Sequence, residues 1–332
     1  MPRLDAADPQ ALRAAAAALA AGELLAFPTE TVYGLGARAD DDAAVQRIYQ
    51  AKGRPAAHPL IVHAADAEQA RRFADAWPAS AQALAEAFWP GPLTLILPRA
   101  PTLAQAAAGG QATIGLRVPG HPLAEALLHE ALRLGVPGVA APSANRFGRV
   151  SATCAAHVLQ EFGDAMKVLD GGECPGGIES AIVDCSGALP ALLRPGLLTR
   201  ARIEAVLGTP LRERDAASPR ASGELRSHYA PTARLRLMST PQLRDALELL
   251  GPQASKLRLA VYSRARLRVS SRAGRGVEFR RMPDDPAAAA HELFAVLRDF
   301  DAAGVQLIWV EQPPETADWE GVRDRLSRAA AA

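Results

Sequence analysis

The amino-acid sequence predicts an α/β protein with two domains. From Leu24 onward, short apolar runs alternate with helical patterns, which is typical of a sheet with covering helices. The length of 332 residues exceeds the usual size of one domain. The alternation lapses over residues 209–233 and then begins again. We therefore place a first domain at residues 1–208, a linker at 209–233 and a second domain at 234–332.

The strands of the first domain are predicted from apolar runs bounded by glycine, proline or polar residues. Eight runs qualify: residues 24–29, 59–63, 93–99, 112–119, 137–143, 167–172, 180–185 and 191–196. The alanine-rich segment before Leu24 predicts a helix. Further helices are predicted after the acidic cap 40–42, around 80–89, from Pro122, from near Ser151, and from Thr199 to Gly208.

The second domain follows a linker that is rich in proline, serine and arginine and has no apolar period. Its pattern is β-α-β-β-α-β-α, which predicts a small Rossmann-like α/β domain. The strands are predicted at residues 234–239, 257–263, 277–282 and 305–312, and the helices from Thr240, over 285–300 and at the C-terminus. Pro241 suits the first position of the helix that Thr240 would cap.

Composition excludes several classes of protein. Lys plus Arg number 37 and Asp plus Glu number 36, so a formal net charge of +1 gives no global attraction to nucleic acid. No apolar run reaches the length of about 18 residues that a membrane span needs, and no signal peptide is apparent, so we expect a cytoplasmic protein without membrane contact. Cys154, Cys174 and Cys185 lack zinc-site or disulfide spacing and are expected to be buried.

Basic residues are nonetheless concentrated locally. No Asp or Glu occurs in residues 43–65, 87–124 or 131–160, although acids occur on average about every nine residues. The basic side chains of these stretches include Lys52, Arg54, His58, His63, Arg99, Arg117, His121, Arg133, Arg146, Arg149 and His157. Because the strand ends of an α/β sheet converge on one crevice, the stretches predict a concave basic cavity suited to nucleotide phosphates.

Lys52 is a candidate phosphate ligand because lysine is rare in this chain, where arginine supplies most of the cations. An ammonium group acts on phosphate as a point charge, unlike the planar guanidinium. A structural interpretation stays open, since Lys52 followed by Gly53 is also the pattern of a helix C-terminus with its cap.

Familiar nucleotide and metal motifs are absent or incomplete. No P-loop sequence occurs. Residues 34–39, GLGARA, match a dinucleotide fingerprint, but the next helix opens only at the acidic cap and no ribose-binding acid follows, so a nicotinamide enzyme is a minor alternative. The seven histidines are dispersed, so we expect no metal site built by the protein alone; a divalent ion would arrive with a phosphate ligand.

Eight motifs occur in order along the first domain and the linker: FPTETVYGLG, AKGRP, HPLIVH, WPGPLTLIL, APSAN, GIESAIVD, LLRPG and SHYAP. Together they resemble the YrdC-like L-threonylcarbamoyladenylate synthases in their long two-domain form. The resemblance implies a twisted open mixed sheet around the basic cavity, followed by the Rossmann-like domain. It also implies a reaction in which L-threonine, bicarbonate and ATP give threonylcarbamoyl-AMP, pyrophosphate and water.

The resemblance further implies partners and cofactors. The product would pass to a separate tRNA threonylcarbamoyl transferase complex, which modifies an adenosine of tRNA, and any contact of this chain with tRNA would be weak. Mg²⁺ would accompany ATP as substrate, and no tightly bound organic cofactor is expected.

The positions that match the family imply an ATP site. Lys52 and Arg54 would be catalytic, because departure of pyrophosphate builds negative charge on the leaving phosphates. The other residues implied to bind ATP are His58, Thr113, Ser143, Asn145, Ser151, Arg194, His228 and Tyr229. Of these, His228 and Tyr229 lie in the linker and would close over the nucleotide as a lid.

A threonine site is implied as well. Arg117 would bind the carboxylate through its planar guanidinium. The remaining residues implied to bind threonine are Thr31, His63, Ala141 and Ser180. Each has a structural alternative: Thr31 as a strand residue, Ser180 as a hairpin hydroxyl, His63 as a strand-end histidine and Arg117 as a surface cation.

One position departs from the family. Asp324-Arg325 stands where the family usually has Asn-Arg, which weakens any inference about contacts of the second domain. The main alternative function is a module that binds tRNA or double-stranded RNA in the same cavity without ATP turnover. Near-zero net charge and the lack of an interleaved aromatic platform argue against it.

Overall fold

A computed structural model of the chain describes residues 3–5, 8–250, 258–267 and 276–331. Parts of two predictions lie outside these residues: residues 1–2 and 6–7 of the N-terminal segment, and Leu257 of strand 257–263. The chain divides into two compact units. Unit 1 comprises Met1–Phe147 and Ser151–Glu224, and unit 2 comprises Gly148–Val150 and Leu225–Ala332. The predicted linker is thus divided between the units after Glu224.

Among the described residues, eleven strands of unit 1 form one mixed sheet, in the order β1-β8-β2-β3-β7-β4-β6-β5-β9-β10-β11. The strands are β1 (Arg3–Asp5), β2 (Leu25–Phe27), β3 (Gly34–Arg38), β4 (Ile61–His63), β5 (Leu93–Pro98), β6 (Thr113–Arg117), β7 (Val139–Ala140), β8 (Val168–Asp170), β9 (Ala181–Asp184), β10 (Ala191–Arg194) and β11 (Arg212–Glu213). The helices of this unit are α1 (Pro9–Ala20), α2 (Asp42–Lys52), α3 (Ala67–Arg71), α4 (Ala79–Phe88), α5 (Pro122–Arg133), α6 (Ala155–Phe162) and α7 (Arg200–Leu207).

Helices cover both faces of this sheet. In β2, Leu25 and Phe27 belong to the apolar cluster that includes α1 and α5, whereas Ala26 between them belongs to the cluster that includes α2 and α4. Because successive side chains of a strand point to opposite faces, the two clusters lie on opposite sides of the sheet. The prediction of an α/β fold with a mixed sheet is confirmed.

Each of the eight predicted strands contains an observed strand, but three further strands were missed. The most consequential is β3, which holds Gly34 and Gly36 and pairs antiparallel with both β2 and β7. Glycine is a weak strand former, so propensity did not indicate it. A Cβ at Gly36 would lie 2.8 Å from both the Phe27 ring and a Val139 methyl, so close packing excludes a side chain here. Within a strand, these glycines do not form the strand-to-helix turn of a dinucleotide site.

Two smaller predictions for unit 1 were wrong. The helix expected from near Ser151 begins only at Ala155, because the Ser151 hydroxyl binds the Glu179 carboxylate instead of capping a helix. Of the three cysteines, Cys174 and Cys185 are buried, but Cys154 is half-buried at the N-cap of α6.

Gly196, just after β10, lies where the backbone before β9 passes very closely. A Cβ at this position would lie 2.3 Å from the amide nitrogen of Ala181 and 2.6 Å from the carbonyl carbon of Ser180. Backbone cannot yield as a flexible side chain does, so we expect Gly196→Ala to lower the free energy of unfolding by about 1–3 kcal/mol. Gly187→Ala is the matched control, since a Cβ there meets nothing within 4 Å. Equal urea midpoints for the two variants would contradict this expectation.

The described part of unit 2 contains a four-stranded, fully parallel sheet in the order β12-β15-β13-β14. Its elements are β12 (Arg234–Met238), α8 (Thr240–Leu249), β13 (Leu259–Ser263), β14 (Val277–Arg281), α9 (Pro286–Ala302), β15 (Leu307–Glu311) and α10 (Glu320–Ala330). The order of elements agrees with the predicted β-α-β-β-α-β-α pattern. The predicted cap is wrong by one residue: Ser239 caps α8 in a capping box with Gln242, and the Thr240 hydroxyl donates to Glu311 over 2.7 Å.

None of the helices in the described part of the chain combines the length and the apolar character that a membrane span requires.

Candidate active site

The carboxyl ends of β4 and β6 bring two of the residues predicted to bind threonine, His63 and Arg117, side by side. These strands are parallel, and His63 is the register partner of Arg117. Arg117 Nη2 donates to Thr31 Oγ1 over 2.9 Å, and Thr31 is fully buried. Arg117 itself is only 4% exposed, which rules out its interpretation as a surface cation.

A residue that the sequence analysis missed, Glu30, completes this group. Its carboxylate forms an ion pair with Arg117, with 2.7 Å between Nη2 and Oε1. Glu30 is the only acid in the stretch 24–39 and lies inside the motif FPTETVYGLG, so a buried role could have been inferred from its isolation among apolar residues and threonines. The ion pair holds the guanidinium beside the Thr31 hydroxyl.

Ser180 connects the residues predicted to bind threonine with the residues predicted to bind ATP. Its hydroxyl lies 2.9 Å from Thr94 Oγ1 and accepts a hydrogen bond from Arg194 Nη2 over 3.2 Å. Arg194 Nε also donates to the carbonyl oxygen of Ser180. The loop before Ser180 is joined to the first group as well, because the Gly177 amide donates to the Thr31 carbonyl over 3.0 Å.

Ala141 and His63 line the same part of the sheet. The Ala141 amide donates to the carbonyl of Ile61, so its position follows from the strand that ends in His63. The His63 ring meets the Phe27 ring edge to face, with centroids 6.2 Å apart. His63 Nδ1 is buried and has no hydrogen-bond partner among the described residues.

Burial, reinforced by the positive charge of Arg117, lowers the pKa of His63 to about 3. The folded chain therefore holds a neutral imidazole, whereas an unfolded chain protonates this group near its ordinary pKa of about 6.5. The unfolded state binds more protons between these values, so folding stability is lost as the pH falls through that window, by about 1.4 kcal/mol per pH unit. Urea unfolding of the wild type should show this loss between about pH 6.5 and pH 5, amounting to about 2 kcal/mol.

The matched variant for this pH effect is His63→Gln, which keeps a polar side chain but cannot titrate. Its stability should fall less steeply over the same pH range. Identical pH dependence of the two proteins would show that the His63 imidazole does not titrate abnormally.

Lys52 ends α2, and its ammonium group points at the APSAN loop. Nζ donates to the carbonyl oxygen of Ser143 over 2.6 Å and also to that of Asn145. Gly53 caps the helix in a left-handed conformation, φ 61°. The alternative interpretation of the Lys-Gly pair, as a helix C-terminus with its cap, is therefore confirmed for Gly53. Lys52 is nonetheless buried, with only 3% of its surface exposed. Burial, together with the charge of Arg54, lowers the pKa of Lys52 well below its ordinary value.

Arg54 lies in the loop after α2 and is also buried. It donates to the carbonyl oxygens of His58 and Pro59, at 3.2 and 2.9 Å, and its guanidinium lies 5.6 Å from the centroid of the Phe147 ring. The His58 ring packs edge to face on the same Phe147 ring. Partial burial and the charge of Arg54 lower the pKa of His58.

Ser222, a second missed residue, brings Arg54 and Arg194 together. Arg194 Nη1 donates to the Ser222 carbonyl over 2.9 Å, and Arg54 Nη2 lies 3.5 Å from the Ser222 hydroxyl. Ser222 is in the predicted linker but belongs to unit 1. The linker sequence gives no sign of this role, because the contact joins residues 168 positions apart.

Two further predicted ATP-binding residues, Ser151 and Thr113, lie in unit 1. Ser151 is fully buried and donates to Glu179, a third missed residue, which lies in the motif GIESAIVD. Thr113 is the first residue of β6 and lines a small cavity together with Ser222. Thr113 and Arg117 are at opposite ends of the same strand.

His228 and Tyr229 belong to unit 2 and are described within it. Tyr229 is buried, has a left-handed backbone with φ 58°, and stacks on Phe294 with ring centroids 5.4 Å apart. The guanidinium of Arg325 lies 5.2 Å from the Tyr229 ring and is paired with Asp324 over 2.7 Å. Asp324, which stands where the family usually has asparagine, therefore forms an ion pair with the fully buried Arg325.

Two family models match the chain. The Sua5_yciO_yrdC model, described as telomere recombination, matches residues 17–196. A model described as threonylcarbamoyl-AMP synthase, C-terminal domain, matches residues 198–331. The chain is 39% identical over 339 aligned positions to threonylcarbamoyl-AMP synthase of Bacillus subtilis, with coverage of 97% of this chain and 93% of that protein. The chain belongs to the threonylcarbamoyl-AMP synthase family.

Solved structures of this family agree over both units. Pyrococcus abyssi Sua5 complexed with L-threonine gives a TM-score of 0.88 at 36% identity, covering 99% of this chain and 96% of that chain. A variant of the same protein, in which a histidine and a tyrosine are replaced by alanine, gives the same TM-score at 34% identity and the same coverage. The family resemblance and the enzyme class expected from the motifs are confirmed.

Proposed function

We propose that this chain makes L-threonylcarbamoyl-AMP from L-threonine, bicarbonate and ATP, with release of pyrophosphate, as the first step of N6-threonylcarbamoyladenosine modification of tRNA. One observation carries the proposal: a continuous series of contacts in unit 1 joins both sets of predicted residues. Arg117 contacts Thr31, the loop bonded to Thr31 leads to Ser180, Ser180 contacts Arg194, and Arg194 meets Arg54 at Ser222.

For threonine, the proposed ligands are Thr31, His63, Arg117, Ala141 and Ser180. Arg117 binds the carboxylate as a bidentate donor, and Glu30 positions the guanidinium. His63 is neutral at physiological pH, so it offers a hydrogen bond without adding a charge that would compete for the carboxylate. Family membership and the L-threonine complex of Pyrococcus abyssi Sua5 support this assignment.

For ATP, the proposed ligands lie around the buried cations Lys52, Arg54 and Arg194, with His58, Thr113, Ser143, Asn145 and Ser151. The threonine nitrogen bonds to the carbon of bicarbonate with loss of water, and a carbamate oxygen then attacks the α-phosphorus. The bond to the β-phosphate oxygen breaks, and both electrons of that bond leave with pyrophosphate. Lys52 and Arg54 stabilise this developing charge in a site where burial strengthens electrostatic interactions.

Magnesium is proposed to bind through the ATP phosphates. Within the ranges that the structure describes, no group of three or more His, Cys, Asp and Glu side chains is arranged to hold a metal ion. Mg²⁺ prefers a few ligands plus substrate phosphates, so a site shared with ATP suits this chain. The product passes to a tRNA threonylcarbamoyl transferase complex, and any contact of this chain with tRNA is weak.

His228 and Tyr229 are the proposed lid. A tyrosine held at φ 58° is strained, and such strain is concentrated at ligand clamps and switch segments. The residues form the one His-Tyr dipeptide of the sequence. Replacing both by alanine should raise KM for ATP by about tenfold and leave the affinity for threonine unchanged, measured by pyrophosphate release and calorimetry. An unchanged KM for ATP would contradict the lid.

Pyrophosphate release from ATP tests the proposed function directly. The full reaction should release pyrophosphate, and omission of either threonine or bicarbonate should abolish the release. Release that persists without threonine would indicate another ATP-cleaving enzyme. Tight, salt-sensitive tRNA binding without any release would favour the RNA-binding alternative.

A further inference from the structure

Unit 1 contains a second cavity, of about 340 Å³, that shares no residue with the proposed ATP and threonine sites. It lies among α3, α4, α5 and the segment that follows β6. The side chains that give it chemical character are Asp66, Arg71, Trp77, Glu86, Trp89 and Glu125. Its volume is in the range of pockets that hold small molecules, about 300–1,000 Å³.

Two tryptophans form an aromatic corner of this cavity. The rings of Trp77 and Trp89 meet edge to face, with centroids 6.1 Å apart. Both indole N–H groups are already bonded, Trp77 to Gln82 Oε1 over 2.9 Å and Trp89 to the Leu93 carbonyl over 2.7 Å. The donors are therefore used within the protein, and a ligand would contact the rings and not the indole N–H groups.

The charge of the wall is negative. Three carboxylates, Asp66, Glu86 and Glu125, accompany the single guanidinium of Arg71 and the imidazole of His129. Arg71 lies 4.8 Å from the centroid of the Trp77 ring, so one aromatic face of the cavity already carries a cation. The negative face of an indole ring attracts cations, and tryptophan does so most strongly.

Glu125 differs from the other two acids of the wall in its hydrogen bonding, and its charge acts on the nearby His121 imidazole. Asp66 accepts the Gln69 amide at the start of α3, and Glu86 accepts from the Gln82 side chain. The Glu125 carboxylate forms no hydrogen bond or ion pair among the described residues. A metal ion is not the expected occupant, because the described His, Cys, Asp and Glu side chains include no group of three arranged to hold one.

We propose that this cavity binds a small organic cation, an amine or guanidinium compound with an apolar body, whose charge lies between the Trp89 ring and the Glu125 carboxylate. Aromatic rings, negative charge and small-molecule volume occur together here, and this combination selects a cation over an anion or a neutral compound. The inference is independent of the proposed synthase reaction.

The test uses the full chain labelled with ¹⁵N, and choline and agmatine as probes. The chain has four tryptophans, so its indole N–H signals are few, and Trp309 and Trp319 of unit 2 serve as internal controls. The signals of Trp77 and Trp89 should shift saturably with either probe. The neutral isostere 3,3-dimethyl-1-butanol and NaCl at equal ionic strength should not reproduce the shift.

Two variants and a matched control locate the site. Trp89→Leu should weaken binding by about tenfold. Glu125→Gln, at a half-exposed position that tolerates the change, should weaken it by about 2–5-fold. Glu130→Gln lies on the same helix, where Glu130 pairs with Arg133, and should have no effect. Three outcomes would each overturn the proposal. The neutral isostere could bind as well as the cations, the two glutamate variants could have equal effects, or neither cation could give a saturable shift.

Discussion

Lys52→Ala is expected to lower kcat for pyrophosphate release by about 10²–10³-fold. The reason is that the ammonium group is buried and lies on two carbonyls of the APSAN loop, so water cannot replace its charge. Burial lowers the pKa of Lys52 in the free protein, and the negative charge of a bound triphosphate would favour the protonated form. The measurement is steady-state pyrophosphate release at saturating threonine and bicarbonate.

The controls for Lys52 separate loss of catalysis from loss of folding. Lys167→Ala removes an exposed lysine that pairs with Glu23, and its activity should match the wild type. Lys52→Ala leaves two carbonyls without their donor, which costs about 1–3 kcal/mol of stability, so threonine affinity serves as the test of a folded site. Lys52→Arg should not rescue activity, because a planar guanidinium does not fit the space of a buried ammonium. Full turnover of Lys52→Ala would remove Lys52 from the site.

Arg117→Ala is expected to weaken threonine binding by about 10²-fold or more. This change removes the proposed bidentate partner of the carboxylate and leaves Glu30 buried without its counter-ion. Repulsion between Glu30 and the substrate carboxylate would then add to the lost contact. Calorimetric titration with L-threonine measures the effect.

Arg117→Lys is the second variant, because it keeps the charge that Glu30 requires. We still expect about tenfold weaker threonine binding, since an ammonium group cannot form the planar pair of hydrogen bonds. Arg133→Ala, at a side chain that is 76% exposed, is the matched control and should bind threonine normally. Unchanged affinity of both Arg117 variants would require a different carboxylate site.

Lys52 and Arg117 also illustrate how far single positions could be assigned from sequence. Lys52 lies in the motif AKGRP and Arg117 in the predicted strand 112–119, and both are buried as a ligand-binding role requires. Their partners could not be assigned in the same way. Ser222 lies in a segment of linker composition, and nothing local indicates that its carbonyl faces Arg194 or that its hydroxyl lies near Arg54.

The same distinction applies to the strands and helices: those with a local sequence pattern were predicted, and those that depend on distant residues were missed. Apolar runs such as residues 93–99 indicated their strands because strand pattern is a local property. Strand β3 was missed because its glycine at position 36 is required by close packing against Phe27 and Val139, which lie on the neighbouring strands. The helix predicted from near Ser151 begins at Ala155, and the acceptor of the Ser151 hydroxyl, Glu179, is 28 residues away, where no local pattern could indicate it.

From the order of its residues alone, this chain shows its α/β class, its two-part organisation, its family and the cations available to a polyanionic substrate. Folding adds the pairings: Glu30 against Arg117, Ser180 against Arg194, and the cavity beside Trp89 with its carboxylates. The physical reason is distance along the chain. Periodicity and motifs act over a few residues, whereas burial, ion pairing and pKa shifts arise from groups that meet only after the sheet has assembled.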